Sequence, residues 1–192
     1  MSPEPEYSVL DQYIYKTRPV RIVIVGAGLT GIAAVYKLDT KFKDLDITYQ
    51  IYEKNHDVGG TWLENRYPGC ACDVPAHSVL IPLSCSPVHP CQLPSPFHLT
   101  CCCGADCKYT YSWEGNPEWT RFYAGRKEIW TYYKSLSNKY GVDKHTRFHS
   151  RVLSATWNHS LYRYELEIED VKTGEKIQDH AEVLINASGW LK

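Results

Sequence analysis

Gly26, Gly28 and Gly31 stand at G-x-G-x-x-G spacing, and chemistry is most directly read from them. They follow Arg21-Ile22-Val23-Ile24-Val25, an apolar β-branched run typical of a strand buried on both faces. They lead into Ile32-Ala33-Ala34-Val35-Tyr36-Lys37-Leu38, which reads as a helix with a small-residue inner face. Between a strand and a helix such a triplet can cradle a pyrophosphate. Gly26 permits the tight turn, Gly28 lets backbone approach the phosphates, and Gly31 lets the helix pack close to the strand. The helix start then turns its free N–H groups and positive dipole end toward the anion. A second strand, Ile47–Tyr52, ends in Glu53. That is about twenty residues past the last glycine, where an acidic side chain can accept hydrogen bonds from a ribose diol.

The elements that must position these residues form an α/β pattern. Residues 1–20 read as an irregular lead-in, and residues 21–78 as the βαβ unit with a structured loop running on from Asn55. Asn116-Pro117-Glu118 has the residue types of a helix start. Trp119, Phe122, Ile129, Tyr133, Leu136 and Tyr140 recur after it at helical spacing as a core stripe, and Gly141 closes the helix. Residues 151–157 and 161–169 alternate as strands, Lys172–Glu175 supplies a turn, and 183–190 reads as a final buried strand running into Gly189.

Composition narrows the function classes. A net charge of −1 favours neither nucleic acid nor an anionic membrane as partner. No stretch approaches the ~20 apolar residues of a membrane span. The acidic, proline-bearing Met1-Ser2-Pro3-Glu4-Pro5-Glu6 lacks the basic start and apolar core of a signal peptide, so a cytoplasmic location is expected. The cysteines do not form a distributed disulfide framework. Cys85, Cys91, Cys101, Cys102, Cys103 and Cys107 all fall between Val79 and Lys108.

Several short motifs carry a family resemblance: the glycine fingerprint, Glu53, Gly59-Gly60-Thr61-Trp62, Asn65-Arg66-Tyr67-Pro68-Gly69, Cys72-Asp73-Val74-Pro75 and Asn186-Ala187-Ser188-Gly189. Together they resemble the FAD domain of Baeyer–Villiger monooxygenases and their flavin-containing monooxygenase relatives. The resemblance implies a Rossmann-like three-layer FAD-binding domain with a small β-hairpin or meander. It also implies FAD and NADPH as cofactors, and O₂ with a small organic molecule as substrates, in an enzyme of secondary metabolism. On that basis Gly26, Gly28 and Gly31 hold the FAD pyrophosphate and Glu53 the adenosine ribose. Gly60, Thr61, Trp62, Val74 and Tyr109 line the flavin side. Asp73 is the candidate catalytic residue, beside the flavin ring where it would help arrange the nicotinamide. No metal site is implied. Two departures stand out. Trp62-Leu63-Glu64-Asn65 replaces the usual Trp-Tyr-Trp-Asn, and Ala71 replaces the arginine that usually precedes Cys-Asp, which removes a bidentate contact for NADPH.

The pattern breaks off after Ser78 and resumes at Tyr109, dividing the chain into residues 21–78, an insertion at 79–108, and 109–192 as the remainder of the FAD domain. A zinc site in the insertion is disfavoured: only Cys103 and Cys107 have the pair spacing of structural zinc, and they lack a partner pair. Translated intron fits better, because the segment keeps frame, can begin with GT at Val79 and can end in AG at Lys108. If translated, it is expected to loop beside the flavin pocket and displace Tyr109. The chain also stops at Lys192 without a second glycine fingerprint, before the NADPH domain. A non-catalytic remnant that at most binds FAD is therefore the alternative to the enzyme. An NAD-dependent dehydrogenase ranks third, since it leaves Gly-Gly-Thr-Trp unexplained.

Overall fold

The computed structural model describes residues 18–76 and 109–189. The predicted unit is present: β1 (Val20–Val25), α1 (Leu29–Lys41) and β2 (Ile47–Tyr52), with β1 and β2 parallel from Val20–Ile47 to Val25–Tyr52. Two helices follow, a single turn α2 (Thr61–Glu64) and α3 (Arg126–Tyr140). A two-residue β3 (Thr146–Arg147) pairs with β2. The chain then forms β4 (Ser150–Asn158), β5 (Arg163–Asp170) and β6 (Lys176–Ala181) as an antiparallel meander. It returns as β7 (Val183–Asn186) on the free side of β1, giving a parallel sheet of order β3-β2-β1-β7.

The alternation of β1 sets the layers. Ile22 and Ile24 face the main core with Ile32 and Val35 of α1 and Ile129 and Tyr133 of α3. Val23 faces the other way, into a smaller core with Tyr52 of β2 and Leu166 and Ile168 of β5. Helices, parallel sheet and meander make the three layers read from the sequence. A polar tie joins the two sheets: Arg21 on β1 reaches Asp179 on β6 at 2.7 Å, and the Tyr52 hydroxyl donates to the same carboxylate at 2.7 Å. Burial alone would raise the Asp179 carboxyl, but these two donors outweigh it and hold it below the usual carboxylate range.

Two local expectations need correction. The helix predicted with Asn116 as its cap begins nine residues later, with Gly125 as its N-cap. Asn116 does bend the chain, accepting from the Glu118 amide at 3.1 Å, but no helix follows. The Ala124 and Phe122 carbonyls are instead taken by the amides of Cys72 and Ala76, at 3.0 and 2.8 Å. Glu128 accepts from both the amide and the hydroxyl of Thr120, which fixes this stretch as a loop. Trp119 is buried from the loop, whereas Phe122 is exposed. Second, β7 stops at Asn186 and lies at the sheet edge among the described residues, with Val183 42% exposed. The structure also adds β6, an outer strand carrying Lys176, Gln178, Asp179 and His180, whose polarity hides it from hydrophobic patterning.

Candidate functional site

A cavity of about 930 Å³ opens at the carboxyl ends of β1, β2 and β7, where an open α/β sheet ordinarily places its ligand. Gly26, Gly28, Glu53, Gly60, Thr61, Trp62, Asp73 and Tyr109 all line it. Gly31 and Val74 do not. Gly31 acts from behind: a β-carbon there would lie 2.2 Å from the Gly26 carbonyl oxygen, so its lack of side chain lets α1 seat against the turn. Val74 is a solvent-exposed neighbour of Asp73. The α1 start faces the cavity through Gly28, Leu29 and Thr30 and has no acidic side chain in its first turn, which suits an anion.

Glu53 is 4% exposed, and its carboxylate grips backbone on both sides. One oxygen accepts from the Ala27 amide at 2.7 Å and the other from the Asn55 amide at 2.8 Å. The residue read as a ribose ligand thus also ties the glycine turn to the loop after β2. Each carboxylate oxygen keeps further acceptor capacity for a ligand hydroxyl.

The Gly59-Gly60-Thr61-Trp62 loop is held by one stripe of α3. Lys134, Trp130 and Arg126 sit four residues apart on one helix face. Lys134 reaches Asp57 at 2.7 Å, the Trp130 indole donates to the Val58 carbonyl at 3.1 Å, and Arg126 donates to the Trp62 carbonyl at 2.8 Å. Helix and loop run antiparallel, so each donor meets its partner in turn. A β-carbon on Gly59 would come within 2.6 Å of the Trp130 ring, which with a φ of +121° explains the glycine. These three α3 residues escaped sequence reasoning because they belong to an amphipathic helix whose apolar stripe alone was visible.

At the other wall the Trp62 and Tyr109 rings meet edge-on at 5.4 Å, and the Tyr109 hydroxyl donates a short hydrogen bond to Asp73. Burial first, then Asp73, pushes the Tyr109 phenol up to about 12. The same hydrogen bond holds the Asp73 carboxyl below its ordinary value. Tyr109 is therefore in the cavity, not displaced from it. The insertion at 79–108, with its candidate zinc ligands, lies outside the described residues.

The two departures find local roles. Leu63 is buried in place of a larger ring, and Glu64 bonds Lys54 at 2.9 Å and Asn55 at 2.7 Å at the cavity rim. Ala71 pairs with Gly125 through an isolated bridge. Residues 150–155 of β4 and 186–189 after β7 complete the lining. The former had no signal in the sequence, since a meander strand carries no glycine pattern or charge motif. The latter are the quoted Asn-Ala-Ser-Gly. A second, more open depression of about 740 Å³ lies between the 114–121 loop and α3, and holds none of the predicted site residues.

The parallel sheet with its antiparallel meander is a Rossmann-like α/β fold, and residues 24–84 match the NAD(P)-binding Rossmann-like domain family. The chain is 34% identical over 92% of its length to the FAD-binding monooxygenase tazF of Aspergillus terreus, covering 26% of that protein. It is 30% identical over 90% of its length to a Baeyer–Villiger monooxygenase of Streptomyces coelicolor, again covering 26%. The closed crystal structure of cyclohexanone monooxygenase superposes with a TM-score of 0.63 at 25% identity, over 91% of this chain and 26% of that one. A steroid monooxygenase solved with NADP bound superposes with a TM-score of 0.61 at 25% identity, over 90% and 26%. Over nine-tenths of its length the chain is similar to FAD-binding and Baeyer–Villiger monooxygenases, and it spans about a quarter of the length of the relatives it matches. Among the described residues no helix is long and apolar enough to cross a membrane.

Proposed function

We propose that the cavity binds FAD, and that the chain supplies the FAD-binding part of a monooxygenase that uses NADPH and O₂ to convert a ketone to an ester or lactone, or to oxygenate a heteroatom. The observation that carries this reading is the convergence of eight predicted residues on one cavity of ligand-binding size. Bound FAD supplies the redox and oxygen chemistry; the protein binds, orients and excludes water. The α1 start takes the pyrophosphate, with Gly28 and Gly60 leaving room where the two loops touch. Glu53 takes the adenosine ribose with the acceptor capacity its two backbone bonds leave free. Gly60, Thr61, Trp62 and Tyr109 border the flavin end, where Trp62 and Tyr109 form an aromatic wall against water. Asp73, whose carboxylate accepts from Tyr109, is the residue assigned in this reading to orient the nicotinamide. A role in secondary-metabolite biosynthesis rests on the family resemblance alone.

Titrating the purified protein with FAD, and in parallel with NAD⁺, tests the reading. Expected is quenched flavin fluorescence, with retained flavin absorbance after gel filtration. Tight NAD⁺ binding with no FAD bound would overturn it in favour of a dehydrogenase-type module. NADPH consumption in the presence of ketones, measured with FAD supplied, tests the enzymatic reading against that of a non-catalytic remnant.

A further inference from the structure

A file of aromatic rings leads away from the cavity through the helical layer. Trp62 and Tyr109 line the cavity with ring centres 5.4 Å apart. Tyr133 donates its hydroxyl to the Tyr109 carbonyl at 3.0 Å, and its ring lies 5.9 Å from Tyr111. Tyr111 stacks on Trp113 at 4.5 Å and 11°, and Trp113 stacks on Tyr36 at 4.4 Å and 3°. Tyr36 then meets Tyr140 at 5.0 Å, at the end of α3. Aromatic pairs at such distances do stabilise a core by about 0.5–1.5 kcal/mol each. Packing alone, however, does not call for what stands at the two ends. Tyr109 donates to the carboxylate of Asp73, and Tyr140 donates to that of Glu114 at 2.5 Å. Each terminal phenol thus has a base in contact with its proton. The internal Tyr111 donates instead to the Leu29 carbonyl, which cannot take a proton at ordinary pH.

We propose that this file is a one-electron relay that carries oxidising equivalents out of the cavity to the protein surface. The inference rests on the cavity being an FAD and O₂ site. An oxygen-derived one-electron oxidant in the cavity takes one electron from Trp62 or Tyr109 and is reduced by one electron. Electrons then pass ring to ring toward the cavity, so the vacancy moves outward. Tyr111 gives up no proton, and the Lys37 ammonium 4.6 Å over the Trp113 ring disfavours positive charge there, so the vacancy does not settle midway. At Tyr140 the ring loses one electron and its phenolic proton passes to Glu114, leaving a neutral tyrosyl radical. Lys139 lies 5.5 Å over this ring, but its charge is already paired with Glu114 at 2.7 Å. A thiolate in solution returns the electron and leaves as a thiyl radical, and Glu114 returns the proton, which regenerates the phenol.

The test uses FAD as the probe, because blue light turns it into a one-electron oxidant inside the cavity. Purified protein with FAD is irradiated, freeze-quenched and examined by electron paramagnetic resonance, with flavin retention measured first. A tyrosyl signal is expected in the unaltered protein. The yield is expected to fall severalfold in Tyr140→Phe, which removes one half-buried hydroxyl at the end of a helix and leaves only the Tyr109 phenol with a carboxylate base, and to fall severalfold in Trp113→Phe. Equal tyrosyl yield in Tyr140→Phe and the unaltered protein, with flavin bound in both, overturns the relay and leaves the FAD reading intact. No flavin retention overturns the FAD reading and the relay with it. If Trp113→Phe loses its native circular dichroism, the Tyr140→Phe comparison decides alone.

Discussion

Replacing Glu53 by Gln separates the two roles this residue has in the structure. The carboxylate accepts from the Ala27 and Asn55 amides at 2.7 and 2.8 Å, from a side chain only 4% exposed. A glutamine amide can keep one of those bonds through its oxygen. Its NH₂ group must then face the second backbone N–H, donor against donor. A hydrogen bond to a charged group contributes about 1.5–3 kcal/mol, and a buried amide left without an acceptor incurs a comparable penalty. Loss of one such bond therefore predicts about 2–3 kcal/mol of destabilisation in protein free of ligand. For a chain of this size each kcal/mol lowers the melting temperature by about 2–4 °C, so the midpoint should fall by about 4–12 °C. The assay is thermal unfolding followed by circular dichroism without FAD, then repeated with saturating FAD. A ligand-free midpoint within one degree or so of the unaltered protein would refute the clamp. A normal ligand-free midpoint with lost FAD stabilisation would leave Glu53 as a ribose ligand only.

Gly31→Ala drives a methyl group to 2.2 Å from the Gly26 carbonyl oxygen, and neither backbone can yield cheaply. Overpacking of this kind costs about 1–3 kcal/mol, and if that strain falls on the cofactor-binding turn FAD affinity should drop about fivefold or more by fluorescence titration; undiminished affinity would contradict the close approach. Trp130→Phe removes the indole donor to Val58 and should cost about 0.5–1.5 kcal/mol. Amide exchange should then speed up at residues 57–62 and not in the meander. Asp179→Asn tests the sheet-to-sheet tie through pH. The Asp179 carboxyl is lowered in the fold, so its stabilisation is present above the ordinary carboxylate range of about 4 and is lost as pH falls through the lower folded value. The variant should melt lower at neutral pH by about 1 kcal/mol or less, with a shallower decline on the acid side. An unchanged acid slope would argue against the tie.

The cradle was legible because it is local. Strand, turn, helix and Glu53 lie within one continuous stretch, and each glycine answers a backbone constraint visible in the spacing. The family resemblance added Thr61, Trp62, Asp73 and Tyr109, and the fold brings all four to the same cavity. What stayed hidden depends on contacts distant in sequence. Residues 150–155 reach the cavity only because the meander packs under the parallel sheet, and nothing in their types announces a site. The helix expected from Asn116 failed because cap residues and spacing were present while tertiary partners, the amides of Cys72 and Ala76 and the carboxylate of Glu128, claimed the same segment. Arg126, Trp130 and Lys134 show the same limit, since a polar stripe at four-residue spacing has meaning only once the loop it grips is in place.

The most direct measurement is amide hydrogen exchange with and without FAD. The account predicts new protection at residues 26–31, 53–55 and 59–62, with the turn of the meander at 172–175 unchanged. Protection confined to the 114–121 loop and α3, or none anywhere at saturating FAD, would contradict the cavity as the cofactor site.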